Sequence, residues 1–191
     1  MNQGQYPKNE VEMIIEKIKG LGKLIILPIA ILILFVAQPW VIVGPGQRGI
    51  LMRLGAVQKG VLSEGFHFKM PFIDNVVKMN VQVQKNEAKA DAASKDLQII
   101  STVIATNYHL MPETVDEVYQ KIGLAFEDKL IQPAVQEVIK AVCAKYTAEE
   151  LIARRGEVKS AIRTELADRL AIFNIKVVEV SVADFNFSRT F

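Results

Sequence analysis

Between Lys23 and Arg48 the chain runs for 24 residues, Leu24 to Gln47, without one charged side chain. As a helix this run would measure about 36 Å, against a hydrocarbon core of about 30 Å. Its centre, Leu24 to Val43 (LIILPIAILILFVAQPWVIV), is apolar on every face. A helix buried in an ordinary protein core keeps one polar face. A cleaved leader has a shorter apolar stretch and ends in a small-residue site, whereas Ala37 is followed by Gln38, Pro39 and Trp40. Residues 24–43 are therefore expected to be a transmembrane anchor, with a re-entrant hairpin bent at a proline as the alternative. Pro28 falls near the first turn, where a missing N–H costs little. Pro39 is expected to end the helix and leave Trp40 at the membrane interface.

The flanks divide the rest. In residues 1–23, Val11, Ile14, Ile15 and Ile18 recur at helical spacing among Glu10, Glu12, Glu16, Lys17 and Lys19, the pattern of an amphipathic surface helix. Lys8, Lys17, Lys19 and Lys23 precede the run, while Arg48, Arg53 and Lys59 follow it closely. That balance leans toward a cytoplasmic N-terminus, and the one apolar run makes a single-pass membrane protein the expectation. Residues 44–191 remain as one water-facing domain.

This domain is nearly neutral. From Arg48 onward there are 19 Lys and Arg against 18 Asp and Glu. With no basic block interleaved with aromatics, nucleic acid is not expected as a partner. The single Cys143 forms no internal disulfide, and no Cys/His grouping has metal-ligand spacing.

The first half reads as strands. Ile50–Leu54 stops at Gly55, Gly60 and Gly65 bracket a turn region, and Phe66–Met70 alternates up to Pro71. Val77, Met79, Val81 and Val83 alternate with polar residues as a half-buried strand. Ala88–Ser94, small and charged, reads as a loop, and Leu97–Leu110 as a long strand. The second half reads as helices. Val115, Val118, Tyr119 and Ile122 share a face that Gly123 ends. Phe126–Tyr146 carries an apolar stripe, with Pro133 expected to kink it or to mark a helix start. Thr147-Ala-Glu-Glu150 is a capping box opening a helix through Leu151, Val158, Ile162, Leu166 and Leu170. Asn174 is expected to end it in the left-handed conformation, before a last strand over Ile175–Val182. Strands, then helices, then one strand give an α+β fold with helices packed on a mostly antiparallel sheet.

Chemistry-bearing residues are few. His67 and His109 lie in strand patterns without a second ligand or triad partner, and Cys143 falls on an apolar helix face. Gly44-Pro-Gly-Gln-Arg-Gly49 fits G-x-G-x-x-G, but it follows an apolar segment and opens a β-like stretch, so it does not read as a dinucleotide site. Glu127-Asp128 and Glu149-Glu150 sit at helix starts, where they complement the helix dipole. Arg154-Arg155 reads as a solvated face or subunit contact. No catalytic, cofactor-binding or metal-binding residue is assigned, and the protein is not expected to be an enzyme or to need a cofactor. The rival, an enzyme or an enzyme subunit, rests on His67, His109 and Cys143.

Several stretches together resemble the SPFH (Band 7, prohibitin-homology) superfamily of prohibitins, stomatins and flotillins. They are Val43-Gly-Pro-Gly-Gln-Arg-Gly49, Glu64-Gly-Phe-His-Phe-Lys-Met-Pro-Phe-Ile-Asp74, Ser94-Lys-Asp-Leu-Gln98, Ile131-Gln-Pro-Ala-Val135, Tyr146-Thr-Ala-Glu-Glu-Leu-Ile152 and Phe173-Asn-Ile-Lys-Val177. Asn174 stands where Gly is usual, and both residues tolerate the left-handed conformation. The resemblance, nearest to bacterial prohibitin- or stomatin-like proteins, implies an SPFH domain over 44–191 on a bacterial inner or plasma membrane. It implies self-association into rings or cages, contact with membrane lipids, organisation of membrane microdomains, and regulation of membrane proteins, including a membrane AAA protease. A stomatin-like modulator of channels, or a non-catalytic subunit of a membrane protease or hydrolase complex, is the alternative. Family members usually continue into a long helix or coiled coil. No heptad run follows Asp184–Phe191 here, so the chain is expected to be a short form or a truncated one.

Overall fold

The computed structural model describes Pro28, residues 35–182 and the short strand Asn186–Phe187. The amphipathic segment over Val11–Ile18 and most of the 24–43 anchor lie outside the described residues. Pro28 and Phe35–Ala37 are helical. Among the described residues no helix is long and apolar enough to cross a membrane. Gln38 then takes a left-handed conformation (φ 41°), and the chain turns into a strand at Trp40. The last four residues of the apolar run, Trp40–Val43, are thus β1 and pair with the domain. Gln38 and Pro39 together stop the helix before them.

Nine strands and four α-helices follow in order among the described residues, and every strand pair is antiparallel. β1 (Trp40–Val43) pairs with β4 (Gly65–Phe68) as a two-stranded ribbon. β2 (Gln47–Arg53) lies between β3 (Ala56–Leu62) and β5 (Asp74–Asn80). The third sheet centres on the longest strand, β7 (Ile99–Leu110), with β6 (Gln84–Ala93) on one side and β8 (Ile175–Val182) and β9 (Asn186–Phe187) on the other. Helix α1 (Val115–Lys121) packs on the second sheet. A π-helical turn (Glu127–Ile131) leads into α2 (Gln132–Cys143), which covers β6, and α4 (Arg155–Ala171) covers β8 after the short α3 (Ala148–Ala153). This is the α+β arrangement expected from the sequence.

The core lies between the third sheet and its helices. Ile100, Ile104, Tyr108 and Leu110 point inward from alternate positions of β7. They meet Val135, Val138, Ile139 and Val142 of α2, and Val158, Ile162, Leu166 and Leu170 of α4. The α4 residues fall at every fourth position and form one narrow stripe.

Three local readings are corrected. The expected loop at Ala88–Ser94 is mostly strand: Ala88, Ala90 and Ala92 are buried and alternate with exposed Lys89, Asp91 and Ala93. Low strand propensity concealed a period of two, and the alanines are small because α2 sits directly over β6. The strand expected to reach Val83 stops at Asn80, whose side-chain oxygen accepts from the Gln82 N–H at 2.9 Å and turns the chain. The helix expected to run from Thr147 past Leu170 breaks at Arg154 (φ −108°, ψ 32°) into α3 and α4. Pro133 stands at the start of α2, where its missing N–H is harmless, and the π-turn absorbs the irregularity before it. Asn174 is left-handed (φ 60°), as its position after α4 requires.

The capping box is formed. Thr147 Oγ1 accepts from the Glu150 N–H at 3.2 Å, and the Glu150 carboxylate accepts from the Thr147 N–H at 3.0 Å. The Ser94–Gln98 turn is tied to the same helix start. Asp96 accepts from the Ala148 N–H at 3.0 Å and from the Ser94 hydroxyl at 2.6 Å, and the Lys95 N–H donates to the Tyr146 carbonyl at 2.8 Å. Replacing Thr147 by Ala is expected to lower stability by about 1 kcal/mol, read from the midpoint of chemical denaturation. An unchanged midpoint would show that Asp96 alone holds this helix start.

Candidate functional site

The feature that stands out is an apolar surface that the described residues leave exposed. In the β1–β4 ribbon, Trp40 faces Phe68 and Ile42 faces Phe66. Alternation puts these four side chains on one face. The opposite face carries Val43, which is buried in the domain, and half-buried His67. On the outward face three of the four are exposed, with Phe68 keeping 79% of its surface and Ile42 61%, while Trp40 is half-buried. Phe66 and Phe68 stack edge to face with ring centroids 4.9 Å apart.

The loop after β4 adds exposed Met70, Phe72 and Ile73 next in sequence. Phe72 is 92% exposed and left-handed (φ 66°). A bulky residue in that conformation is strained and persists only where its surroundings fix it. The fixing group is Asp74, which is almost fully buried. Its carboxylate accepts from Arg53 Nε at 2.8 Å and Nη2 at 3.2 Å, and from the Met70 N–H at 3.1 Å. Its own N–H donates to the Met70 carbonyl, and the Leu54 N–H donates to the Ile73 carbonyl, both at 2.9 Å. The loop is therefore closed at its base while its apolar tip stays in the open. The two-pronged hydrogen bond from Arg53, helped by the Met70 N–H, holds the Asp74 carboxyl below its ordinary range.

A second ion pair fixes the ribbon to the domain. Glu64 accepts from Arg48 Nη1 at 2.9 Å and from the Gly46 N–H at 3.1 Å, which together hold its carboxyl below the ordinary range. Gly46 is left-handed (φ 71°), and the Gly-Pro-Gly turn leads into strand β2. The G-x-G-x-x-G spacing thus opens a strand, and no helix N-terminus stands there to receive a phosphate.

The chemistry-bearing candidates lie on separate elements. His67 on β4 has Nε2 2.7 Å from the Ser63 carbonyl, and His109 at the end of β7 has Nδ1 3.1 Å from the Leu110 carbonyl. Cys143 is fully buried at the end of α2, and burial pushes its thiol up to about 11. No hydrogen bond joins these three among the described residues, where there is also no group of three His, Cys, Asp or Glu able to hold a metal. Arg155 donates to the Val182 carbonyl at 2.9 Å and so ties α4 to β8. Glu127, expected only to complement a helix dipole, also accepts a 2.6 Å hydrogen bond from the buried Tyr108 hydroxyl.

The sequence reading missed Asp74, Arg53 and Phe72. The signal was present. Phe66, Phe68, Met70 and Phe72 occupy every second position, an apolar line continued past a proline that breaks the strand. Periodicity shows that such residues share a face, not which face is covered.

The fold and this surface define a class: a mixed α/β domain with antiparallel sheets, presenting one apolar ribbon beside the end of an apolar segment. The profile of the SPFH domain / Band 7 family matches residues 41–191, and the chain belongs to that family. It is 32% identical to Prohibitin-2 of Gallus gallus over 152 residues, which cover 78% of this chain and 50% of the relative. It is 31% identical to Prohibitin-1 of Schizosaccharomyces pombe over 147 residues, 76% of this chain and 52% of the relative. With Prohibitin-2 of Mus musculus the identity is 30% over 148 residues, 76% of this chain and 50% of the relative. The chain thus spans about half the length of the curated relatives it matches.

Replacing Asp74 by Asn is expected to free the loop. Exchange of the Met70 amide, followed by hydrogen–deuterium exchange, rises while the amides of β7 are unaffected. The pH dependence has a definite sign. The folded-state value of Asp74 lies below its unfolded value of about 4, so the pair stabilises fully above that value. The stabilisation is lost as pH falls through the folded value. Denaturation midpoints should therefore be flat above about pH 5 and fall below about pH 4. In the Asn variant that part of the fall should be missing.

Proposed function

We propose that this protein is a membrane-anchored, self-associating scaffold of the prohibitin type, with the apolar ribbon and the Phe72 loop resting in the lipid interface. The carrying observation is the exposed line Ile42, Phe66, Phe68, Met70, Phe72 and Ile73, which begins a few residues after the helical Phe35–Ala37. Burying a Phe side chain is favourable by about 1.5–3 kcal/mol, so several together would hold the domain against a bilayer. An aromatic patch of this kind on a water-facing protein marks an interaction surface. Family membership supports the scaffold role. As the resemblance implies, the assembled scaffold organises membrane microdomains and regulates membrane proteins, a membrane AAA protease among them, without chemistry of its own.

Two measurements test this reading. In proteoliposomes, an environment-sensitive label on Phe72→Cys should be blue-shifted and shielded from an aqueous quencher. The same label on Glu137→Cys, in the helical layer, should be quenched freely. Native Cys143 is buried and so does not compete for label. Equal quenching at both positions would remove the lipid contact. Gentle detergent extraction should yield large particles by electron microscopy, and single chains at every concentration would remove the scaffold.

A further inference from the structure

We infer that Asn86 and Thr106 share one internal water molecule, which closes a hydrogen-bonded chain linking the third sheet to the π-turn. Asn86 on β6 and Thr106 on β7 are direct cross-strand partners, and both are buried. Among the described residues, Asn86 Oδ1 and Thr106 Oγ1 have no hydrogen-bond partner. Buried polar atoms in folded proteins are almost always paired, because leaving one bare costs a large part of its desolvation. Two such atoms on facing residues call for one shared partner. Their Cβ atoms stand about 4.5–5.5 Å apart in an antiparallel pair, so one bridging molecule can reach both side chains.

The surroundings select water. Asn86 Nδ2 points to Glu127 Oε2 at 3.5 Å, and Tyr108 Oη donates to Glu127 Oε1 at 2.6 Å. Turning the Asn86 amide over would set its oxygen against that carboxylate, so Oδ1 faces away from Glu127. A water accepts the Thr106 hydroxyl proton and donates one of its own to Asn86 Oδ1. Its remaining proton is free for a third acceptor. Three bonds is the usual number for a buried water, and proteins hold about one per 27 residues. A metal cation fits less well. Calcium and magnesium need six or more oxygens, zinc favours Cys and His ligands that this cluster lacks, and only two oxygens are free here while the amide and phenol donors occupy Glu127.

The chain then runs from Thr106 through the water and Asn86 to Glu127, and returns to β7 through Tyr108. It would pin the π-turn over the sheet just ahead of Pro133. Phe126 closes the cluster, its ring edge-on to Tyr108 at 6.1 Å. This inference is independent of the membrane reading.

The test is the near-isosteric Thr106→Val in the full chain, held in detergent. If the water is shared, the variant strands Asn86 Oδ1. The thermal midpoint should then fall by about 2–4 °C, the shift one lost net hydrogen bond gives at this chain length. If the hydroxyl is simply buried and unpaired, valine removes its cost and the midpoint rises, which overturns the inference. A crystal structure of the unmodified full chain showing ordered solvent gives a second reading. One density peak within about 3 Å of both Oγ1 and Oδ1 is expected. No peak, a direct Thr106–Asn86 bond, or a site whose occupant follows the cation supplied would each overturn it.

Discussion

Three strands close on Gly49. A side-chain carbon there would stand 3.0 Å from Val43 on β1 and Val76 on β5, and 3.1 Å from Leu62 on β3. A residue with a Cβ would push these three side chains back by a few tenths of an ångström, so glycine lets the ribbon strand lie this near the second sheet. The position of the apolar ribbon depends on this contact, because β1 and β4 pair only with each other among the described residues. The Glu64 bonds to Arg48 and Gly46 hold the same joint from its polar side. The Val81 N–H donates to the Gly46 carbonyl at 2.9 Å, so the turn between β1 and β2 is fastened at the far end of β5 as well. A two-stranded ribbon is marginal by itself. Here it borrows order from the sheet beneath it, and it can then leave its other face bare.

Much of the fold was legible because its determinants are local. Thr147 and Glu150 sit three apart, and a capping box needs no tertiary help. Asn174 and Gly123 punctuate helices through backbone freedom alone. The readings that failed were decided from outside their own segment. Ala88–Ser94 became strand because β7 offers partners along its length and α2 covers the alanine face. Val81–Val83 left the strand because β2 begins at Gln47, so Asn80 has the last partner. The break at Arg154 falls between buried Leu151 and buried Val158, beside the Arg155 bond that ties α4 to β8. Each was a contest between local propensity and long-range packing, and packing prevailed.

The site was less legible for the same reason. Arg53 and Asp74 are 21 residues apart, and no short motif marks a pair formed by β2 and β5 coming into register. Tyr108 and Glu127 meet only because the π-turn lies over β7. Burial and the Glu127 hydrogen bond push the Tyr108 hydroxyl well above the usual phenol range, so it stays a donor at any physiological pH. Aromatic residues on an alternating strand read as core in a sequence. Their exposure follows from the order of pairing: β4 is taken by β1 and not by the larger sheets, so among the described residues its outer face is left bare.

The charges around that face bear on how it would work at a membrane. Arg53 and Asp74 cancel at the base of the loop, and Arg48 and Glu64 cancel at the joint. The outward line itself, Ile42, Phe66, Phe68, Met70, Phe72 and Ile73, is apolar, with Lys69 the one lysine or arginine among residues 65–73. A surface built in this way gains little from anionic headgroups and much from removing aromatic area from water. The ion pairs therefore serve the apolar face. They hold the loop and the ribbon rigid while adding no net charge that insertion would have to carry into the interface. The bonds at Met70, Ile73 and Asp74 already hold the backbone on both sides of Phe72, so docking at a lipid interface, as proposed, would cost little further backbone entropy.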